Sequence, residues 1–341
     1  MDFKHPILSA FETMEAQAKM DGKRFQAIAY AKVKKQIEGL AAVYTIDDLA
    51  EVKGIGEGLS GKLYEIFETG SLAAAEKIKA IDRVEAFSVF QDCYGIGAKK
   101  ARDLAGSGLA SLAQLRAAAV ANPKLLTAAQ TIGLRHYEEF LVKIPRAEMV
   151  GHEALLRGSI PYPTTIMGSY RRGASESGDI DTLLCSDDPK ALAATVTLLT
   201  KAGYITATLA HGEKKFMGVC RLSGGVHRRL DILLTPVKEV PFALVYFTGP
   251  MSLNVAMRTF VNDLGLSMNE HGFTVLPPPK EEPSPKKESA PKKKSVSLWT
   301  KALPAPKSEE ELFACLGLDW IAPQERDKKK LKLVGDGKGS V

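Results

Sequence analysis

Gly168-Ser-Tyr-Arg-Arg-Gly-Ala-Ser-Glu-Ser-Gly-Asp179-Ile-Asp181-Thr-Leu-Leu184 carries more chemistry than any other stretch of this 341-residue chain. In an extended strand, residues two apart share a face, so Asp179 and Asp181 project together while Ile180 turns to the opposite side. A third carboxylate, Asp231, sits in the apolar run Arg229-Leu-Asp-Ile-Leu-Leu234, where a lone acid is costly to bury without a partner. Hard carboxylate oxygens suit Mg²⁺, and two such ions about 3.5–4 Å apart stabilise both the attacking and the leaving oxygen of an in-line phosphoryl displacement. Just upstream, the Gly168-Ser169 turn and Arg171-Arg172 offer N–H, hydroxyl and guanidinium donors where a triphosphate would lie. The bland reading of a bare D-x-D pair is a solvated strand end. The adjoining anion donors and the third strand aspartate favour a metal site instead.

Outward from this stretch, β-rich runs occupy 164–167, 179–184, 216–222 and 229–234, with a helical pattern over 190–202 between two of them. Residues 245–249 read as a further strand, 252–264 as a helix, and 309–316 as a short helix with Ser308 as N-cap. Upstream, Phe25, Ile28, Ala29, Val33 and Ile37 recur at helical spacing, so 6–40 is helical. A near repeat follows, in which Val52-Lys-Gly54-Ile-Gly56-Glu-Gly58-Leu and Cys93-Tyr-Gly95-Ile-Gly97-Ala-Lys99-Lys each open a helix. Such turns leave backbone N–H groups at a helix start and let a sugar-phosphate backbone come close, and Lys99 and Lys100 add charge. Gly56-Glu-Gly58-Leu-Ser-Gly61 also matches a dinucleotide fingerprint, but 45–53 reads as helix and turn where that motif requires a buried strand. A nicotinamide site is therefore rejected.

Composition narrows the class. The chain is 45% hydrophobic, enough for two or more cored units, and no run approaches the roughly 20 apolar residues of a membrane span. Residues 1–14 carry Asp2 and Glu12 without the apolar core of a secretory signal, so an unsecreted protein is expected, and the four cysteines, Cys93, Cys185, Cys220 and Cys315, show no paired spacing, which fits a reducing compartment. The net charge of +6 is concentrated: residues 277–307 hold eight lysines against three glutamates, a surplus of five. That Pro, Lys, Ser and Glu-rich insertion has too few large apolar residues to offset its ordering entropy, so it is expected to be disordered.

The signature from Gly168 to Asp181 resembles that of the family X DNA polymerases. So do residues 211–220, His227-Arg-Arg-Leu-Asp231, Tyr246-Phe-Thr-Gly249, Asn254-Val-Ala-Met-Arg258, 265–270 and 308–313. The resemblance implies a multidomain α+β protein. A helical lyase domain with a first helix-hairpin-helix would span 1–77, and fingers with a second 78–145. A catalytic palm sheet of nucleotidyltransferase type would span 146–237, and a small α/β nucleotide-selection subdomain 238–341. By matched position, Asp179 and Asp181 would bind both metals, and Asp231 would bind the catalytic ion and take or orient the primer 3′-hydroxyl proton. Ser169, Arg172 and Gly178 would hold the triphosphate. Tyr246, Phe247 and Gly249 would line the sugar, Asn254 would meet the minor-groove edge of the incoming base, and Arg258 the template.

The resemblance also makes Lys62 the Schiff-base amine of a 5′-deoxyribose phosphate lyase and, by matched position, Tyr30 a DNA-binding residue. Gln26, Gly58 and Ala74 stand where relatives usually carry basic residues around the 5′-phosphate. The implied activity is DNA-directed filling of short gaps in base excision repair. It would use Mg²⁺, with Mn²⁺ as a substitute, and a monovalent cation at the helix-hairpin-helix turns formed around Gly54, Gly56, Gly95 and Gly97. The expected partners are gapped or nicked DNA, deoxynucleoside triphosphates and other repair proteins, with the chain a monomer. Lysine clusters at 292–294 and 328–330 direct it to the nucleus, with the mitochondrion as the alternative. Competing readings are a template-independent or RNA-directed nucleotidyltransferase and a DNA-binding scaffold without catalysis.

Overall fold

A computed structural model describes residues 2–79, 82–277 and 303–334. The chain divides into two compact units between Tyr137 and Glu138.

The first unit is helical: α1 (Lys4–Met20), α2 (Arg24–Glu38), α3 (Glu57–Thr69), α4 (Ala73–Lys79), α5 (Asp82–Asp92), α6 (Ala98–Gly106), α7 (Leu112–Ala121) and α8 (Ala128–Arg135). It contains two apolar clusters, one built on Phe11, Tyr30, Val33, Ile37, Leu63 and Ile66, the other on Phe87, Phe90, Leu104, Leu115 and Leu134. The periodicity of α2 resolves differently from the sequence expectation. Its inward face is Ala27, Tyr30, Val33 and Ile37, while Phe25 and Ile28 are exposed. A single apolar residue out of step with the stripe simply faces water. Ahead of α3 lies a 3₁₀ turn, Ile46–Leu49, and no strand, which removes the structural context a dinucleotide fingerprint needs.

The second unit begins with the rest of α9 (Tyr137–Leu141), then β1 (Ile144–Pro145), α10 (Arg146–Ser159), β2 (Thr164–Ile166), α11 (Gly168–Arg171), β3 (Glu176–Ser177), β4 (Ile180–Cys185), α12 (Ala191–Lys201), β5 (Ile205–His211), β6 (Lys215–Cys220) and β7 (Arg228–Thr235). Further on come α13 (Val240–Thr248), α14 (Met251–Asp263), β8 (Leu266–Asn269), β9 (Gly272–Val275) and α15 (Glu309–Cys315). The central sheet has the order β2-β4-β7-β6-β5, with β4 and β7 parallel and the other pairs antiparallel.

Its two faces alternate as strand geometry demands. Ile180, Leu184, Leu230, Ile232 and Leu234 pack on Met149 and Leu156 of α10 and on Leu192, Val196 and Leu199 of α12. Leu183 and Leu233 pack the opposite way, with Met167 and with Ala243 of α13. The last segment has its own core, including Met257, Val261, Leu266, Leu312 and Phe313.

The strand expected at 245–249 is instead the end of α13. Pro241 occupies its first turn, and Phe242, Val245 and Thr248 recur every third residue toward the interior. A five-residue apolar window is too short to separate a strand from a buried helix. Ser308 caps α15, its hydroxyl accepting from Glu311 N at 3.2 Å. Strand β5 carries little signal in the sequence, because Thr206, Thr208 and Ala210 in Ile205–His211 give it little apolar character. The insertion expected at 277–307 falls largely on 278–302, outside the described residues. None of the four cysteines is in a disulfide, and no helix among the described residues is long and apolar enough to cross a membrane.

One contact in the first unit tests its packing. A Cβ on Gly133 of α8 would overlap the carbonyl oxygen of Tyr94, at the start of the second glycine turn. Gly133→Ala should therefore destabilise this unit by about 1–3 kcal/mol despite the better helix propensity of alanine, a difference read from urea unfolding.

Candidate active site

Strand β4 runs parallel to β7 with Asp181 directly opposite Asp231, and neighbouring strands lie only about 4.8 Å apart. Asp179 immediately precedes β4, and its partner is Arg229, two residues before Asp231. Asp231 is 5% exposed. Its Oδ2 lies 3.1 Å from Lys215 Nζ, while its buried Oδ1 has no hydrogen-bond partner among the described residues. Burial first, and then the negative charges of Asp179 and Asp231, push the Asp181 carboxyl up to about 7, against the pull of Arg229 and Lys215. Asp181 and Asp231 thus face each other across the strand pair, Asp179 lies just ahead of β4, and Lys215 and Arg229 pair with Asp231 and Asp179 beside an orphaned buried oxygen.

The chain before β4 is folded onto this centre. Met167 N donates to Asp181 O at 2.8 Å, and the next residue, Gly168, starts α11 with φ +59°. A Cβ at Gly168 would stand 2.5 Å from Asp181 Oδ2, so both conformation and space demand glycine. Ser169 Oγ donates to Ser177 Oγ at 3.0 Å. Arg172 donates through Nε to Asp327 Oδ2 at 2.9 Å and through Nη1 to Thr248 O at 2.7 Å.

Arg171 departs from the expectation that both arginines offer donors to an anion. Its guanidinium is committed to Glu309, at 2.5 and 3.1 Å, and to Thr248 Oγ1 at 2.5 Å. Consecutive helical residues point about 100° apart, so α11 can turn only one of the two toward the acids.

A cavity of about 670 Å³ opens beside the aspartates. It is lined by Gly168, Ser169, Arg172, Asp181 and Lys215 together with Tyr246, Phe247, Gly249, Asn254 and Arg258. Asn254 Nδ2 donates to Tyr246 O at 2.8 Å, and the Arg258 guanidinium lies 5.3 Å from the centre of the Tyr246 ring. Gly178 is absent from this lining. A Cβ there would lie 3.5 Å from Lys143 Nζ.

Lys215 and Arg229 were given no role from sequence, although a signal existed. Arg229 is two residues from Asp231 on one strand, and Lys215 is two residues from Met217, the cross-strand partner of Asp231. Thr248, Glu309 and Asp327 had no comparable local signal.

The remaining candidates lie in the first unit. Lys62 is half-buried on α3, Nζ donating to Gly58 O at 3.0 Å. Gly54 and Gly95 have φ of +102° and +82°, and Gly56 and Gly97 cap α3 and α6, with Lys99 exposed just inside α6. Gln130 Nε2 donates to Gly95 O at 2.9 Å and pins the second turn. Tyr30 is 1% exposed, with its ring edge-on to Phe11 at 5.5 Å, because the helical period of α2 carries it into the core.

The sheet and its acids define a nucleotidyltransferase palm, and comparison with known proteins specifies which kind. Residues 143–237 match the family description DNA polymerase beta palm, 243–327 DNA polymerase beta thumb, and 88–141 the fingers domain of DNA polymerase lambda. The chain is 31% identical over 338 residues to DNA polymerase lambda of Rattus norvegicus, covering 94% of this chain and 56% of that protein. It is 27% identical over 327 residues to DNA polymerase lambda of Arabidopsis thaliana, covering 90% and 59% respectively. The chain therefore spans a little over half the length of these relatives. It belongs to the family X DNA polymerases and resembles the β type in its palm and thumb.

Two outcomes are expected. Gly168→Ala should displace the Asp181 carboxylate and impair metal-dependent activity with little change in secondary structure, as judged by circular dichroism and a turnover assay. The second concerns pH. Folded Asp181 keeps its proton up to about 7, whereas the ordinary value is 3.8, so in chelator the folded state binds more protons between these values and loses stability as pH rises. Asp181→Asn should remove this loss and raise stability at pH 8 by on the order of a few kcal/mol, with a flatter profile in thermal melts from pH 5 to 8.

Proposed function

We propose that this chain is a DNA-directed DNA polymerase that fills short gaps in base excision repair, with an associated 5′-deoxyribose phosphate lyase activity. One observation carries the reading. Asp181, which faces Asp231 across the parallel pair β4–β7 and follows Asp179 by two residues, opens onto a cavity that is also lined by two aromatics, an asparagine and an arginine.

The donor set fits divalent cations: three carboxylates, one of them with an orphaned buried oxygen, suit a hard ion better than any neutral arrangement. Asp179 and Asp181 would hold two Mg²⁺ ions and Asp231 the catalytic one, Mn²⁺ being able to replace them. When bound, the ions supply Lewis-acid stabilisation of the attacking and leaving oxygens. Asp231 Oδ1, having no protein donor, is available to receive or orient the proton of the primer 3′-hydroxyl.

Ser169 and Arg172 hold the triphosphate together with the backbone at Gly178. Arg172 is already turned to the cavity, and its bonds to Asp327 and Thr248 O preset its direction. Tyr246, Phe247 and Gly249 line the sugar, where close backbone excludes a 2′-hydroxyl. Asn254 meets the base edge and Arg258 the template.

In the first unit, Gly54, Gly56, Gly95, Gly97 and Lys99 belong to two helix-hairpin-helix turns that take the DNA backbone and a monovalent cation. Lys62 is the amine that forms a Schiff base with the sugar aldehyde of an incised abasic site. Gapped or nicked DNA and deoxynucleoside triphosphates are the substrates. The protein works as a monomer, in the nucleus, beside other repair proteins.

On DNA with a one-nucleotide gap, the chain should insert the templated nucleotide, and faster with a 5′-phosphate at the gap. Insertion indifferent to the template base would refute the assignment. Asp231→Ala should lower the rate by about a thousandfold or more, several kcal/mol of transition-state stabilisation, with DNA binding retained. Borohydride trapping of the chain on an incised abasic site should disappear in Lys62→Ala. Persistent trapping would place the nucleophile elsewhere.

A further inference from the structure

Beyond the last residue matched by the thumb description, Asp327, the chain continues as a lysine-rich arm that is folded onto the thumb. Lys328 N and Lys329 N both donate to Glu325 O at 2.9 Å. Asp319 N donates to Lys332 O and Val334 N to Gly317 O, each at 2.9 Å, and Leu318 bridges Leu333 in antiparallel fashion. Leu331 is 1% exposed in the thumb core. The backbone of the arm is thus anchored at both ends and in the middle.

Those lysines line a cavity of about 670 Å³ that is separate from the polymerase cavity. Lys328, Lys329, Lys330 and Lys332 contribute to it, with Trp320 and a single acid, Asp319. Lys329 is paired with Glu325 at 2.6 Å, whereas Lys328, Lys330 and Lys332 have no ion pair among the described residues. Trp320 is partly exposed. The edge-to-face contact with Phe313 at 5.1 Å and the Arg326 guanidinium 5.2 Å away fix its orientation.

Holding three unpaired ammonium groups together around one concavity is electrostatically unfavourable without an anion, and an oriented indole among them adds a platform for a planar ring.

We propose that this cavity is a second nucleic-acid site, which takes a short single-stranded DNA segment with its phosphates on Lys328, Lys330 and Lys332 and a base against Trp320. A duplex fits worse, because its bases are stacked within the helix and unavailable to an aromatic in a concavity. The site is independent of the polymerase cavity, and its test does not require nucleotide insertion.

Trp320 and Trp299 are the only tryptophans, so Trp299→Phe isolates the reporter. In the full chain with that change, an oligothymidylate of about eight nucleotides should quench Trp320 emission, and should do so equally in an Asp231→Ala background. Adding Lys328→Ala, Lys330→Ala and Lys332→Ala should weaken the titration roughly tenfold or more and lower the slope of log affinity against log salt by about 2, near 0.7 for each of three phosphate contacts. Gap filling at saturating substrate should stay at the parental rate in the triple variant, since none of the three lysines lines the polymerase cavity.

Absence of quenching would overturn the proposal. So would equal quenching by a blunt duplex, equal quenching by an acidic peptide, or an unchanged salt slope in the triple variant.

Discussion

Mutual repulsion among Asp179, Asp181 and Asp231 is the constraint around which the second unit is organised. Two of these acids face each other across adjacent parallel strands and the third sits one step before the strand, a placement that costs free energy unless cations are supplied. The protein supplies part of the compensation itself, through Lys215 on the neighbouring strand and Arg229 on the same strand. It does not complete it, because one oxygen of Asp231 remains buried and unbonded. A rigid sheet, apolar on both faces, is what holds like charges together long enough for a ligand to benefit from them.

The same need for rigidity explains the connection between palm and thumb. Arg171 and Arg326 both bond Glu309, which is 4% exposed, while Arg172 reaches Asp327 and the Thr248 carbonyl. Buried ion pairs contribute little net stability compared with apolar packing of the same volume, but removing one partner leaves a buried charge and is strongly unfavourable. What this network does provide is direction. It fixes α11, and with it Arg172 at the mouth of the cavity, relative to α13 and α15. The part of the cavity lining that carries Tyr246 and Phe247 is therefore registered against the part that carries Asp181.

Much of the site was legible along the chain because strand and helix periods are local. The two-residue spacing of Asp179 and Asp181, the apolar run holding Asp231 and the cap at Ser308 all express short-range geometry. Where the expectation failed, the deciding contacts were distant in sequence or the window too short. Residues 245–249 read as a strand until Pro241 and Phe242 extend the pattern into α13. Tyr30 faces inward because of Phe11, nineteen positions away. Arg171 and Arg172 are adjacent and chemically alike, and only Glu309 and Asp327 separate their tasks.

By itself the sequence determined which groups lie close along the chain: three carboxylates in or beside strands, a glycine turn with two arginines before them, and two glycine turns opening helices. Those features depend on residue type and on spacings of a few positions, which the backbone converts directly into shared faces. Tertiary structure decided which groups meet. The pairing of β4 with β7 puts Asp181 opposite Asp231 although fifty residues separate them, and β6 then brings Lys215 to the same place. Such meetings follow from strand order and helix packing, which arise from burial summed over a whole core, and no local pattern encodes that sum.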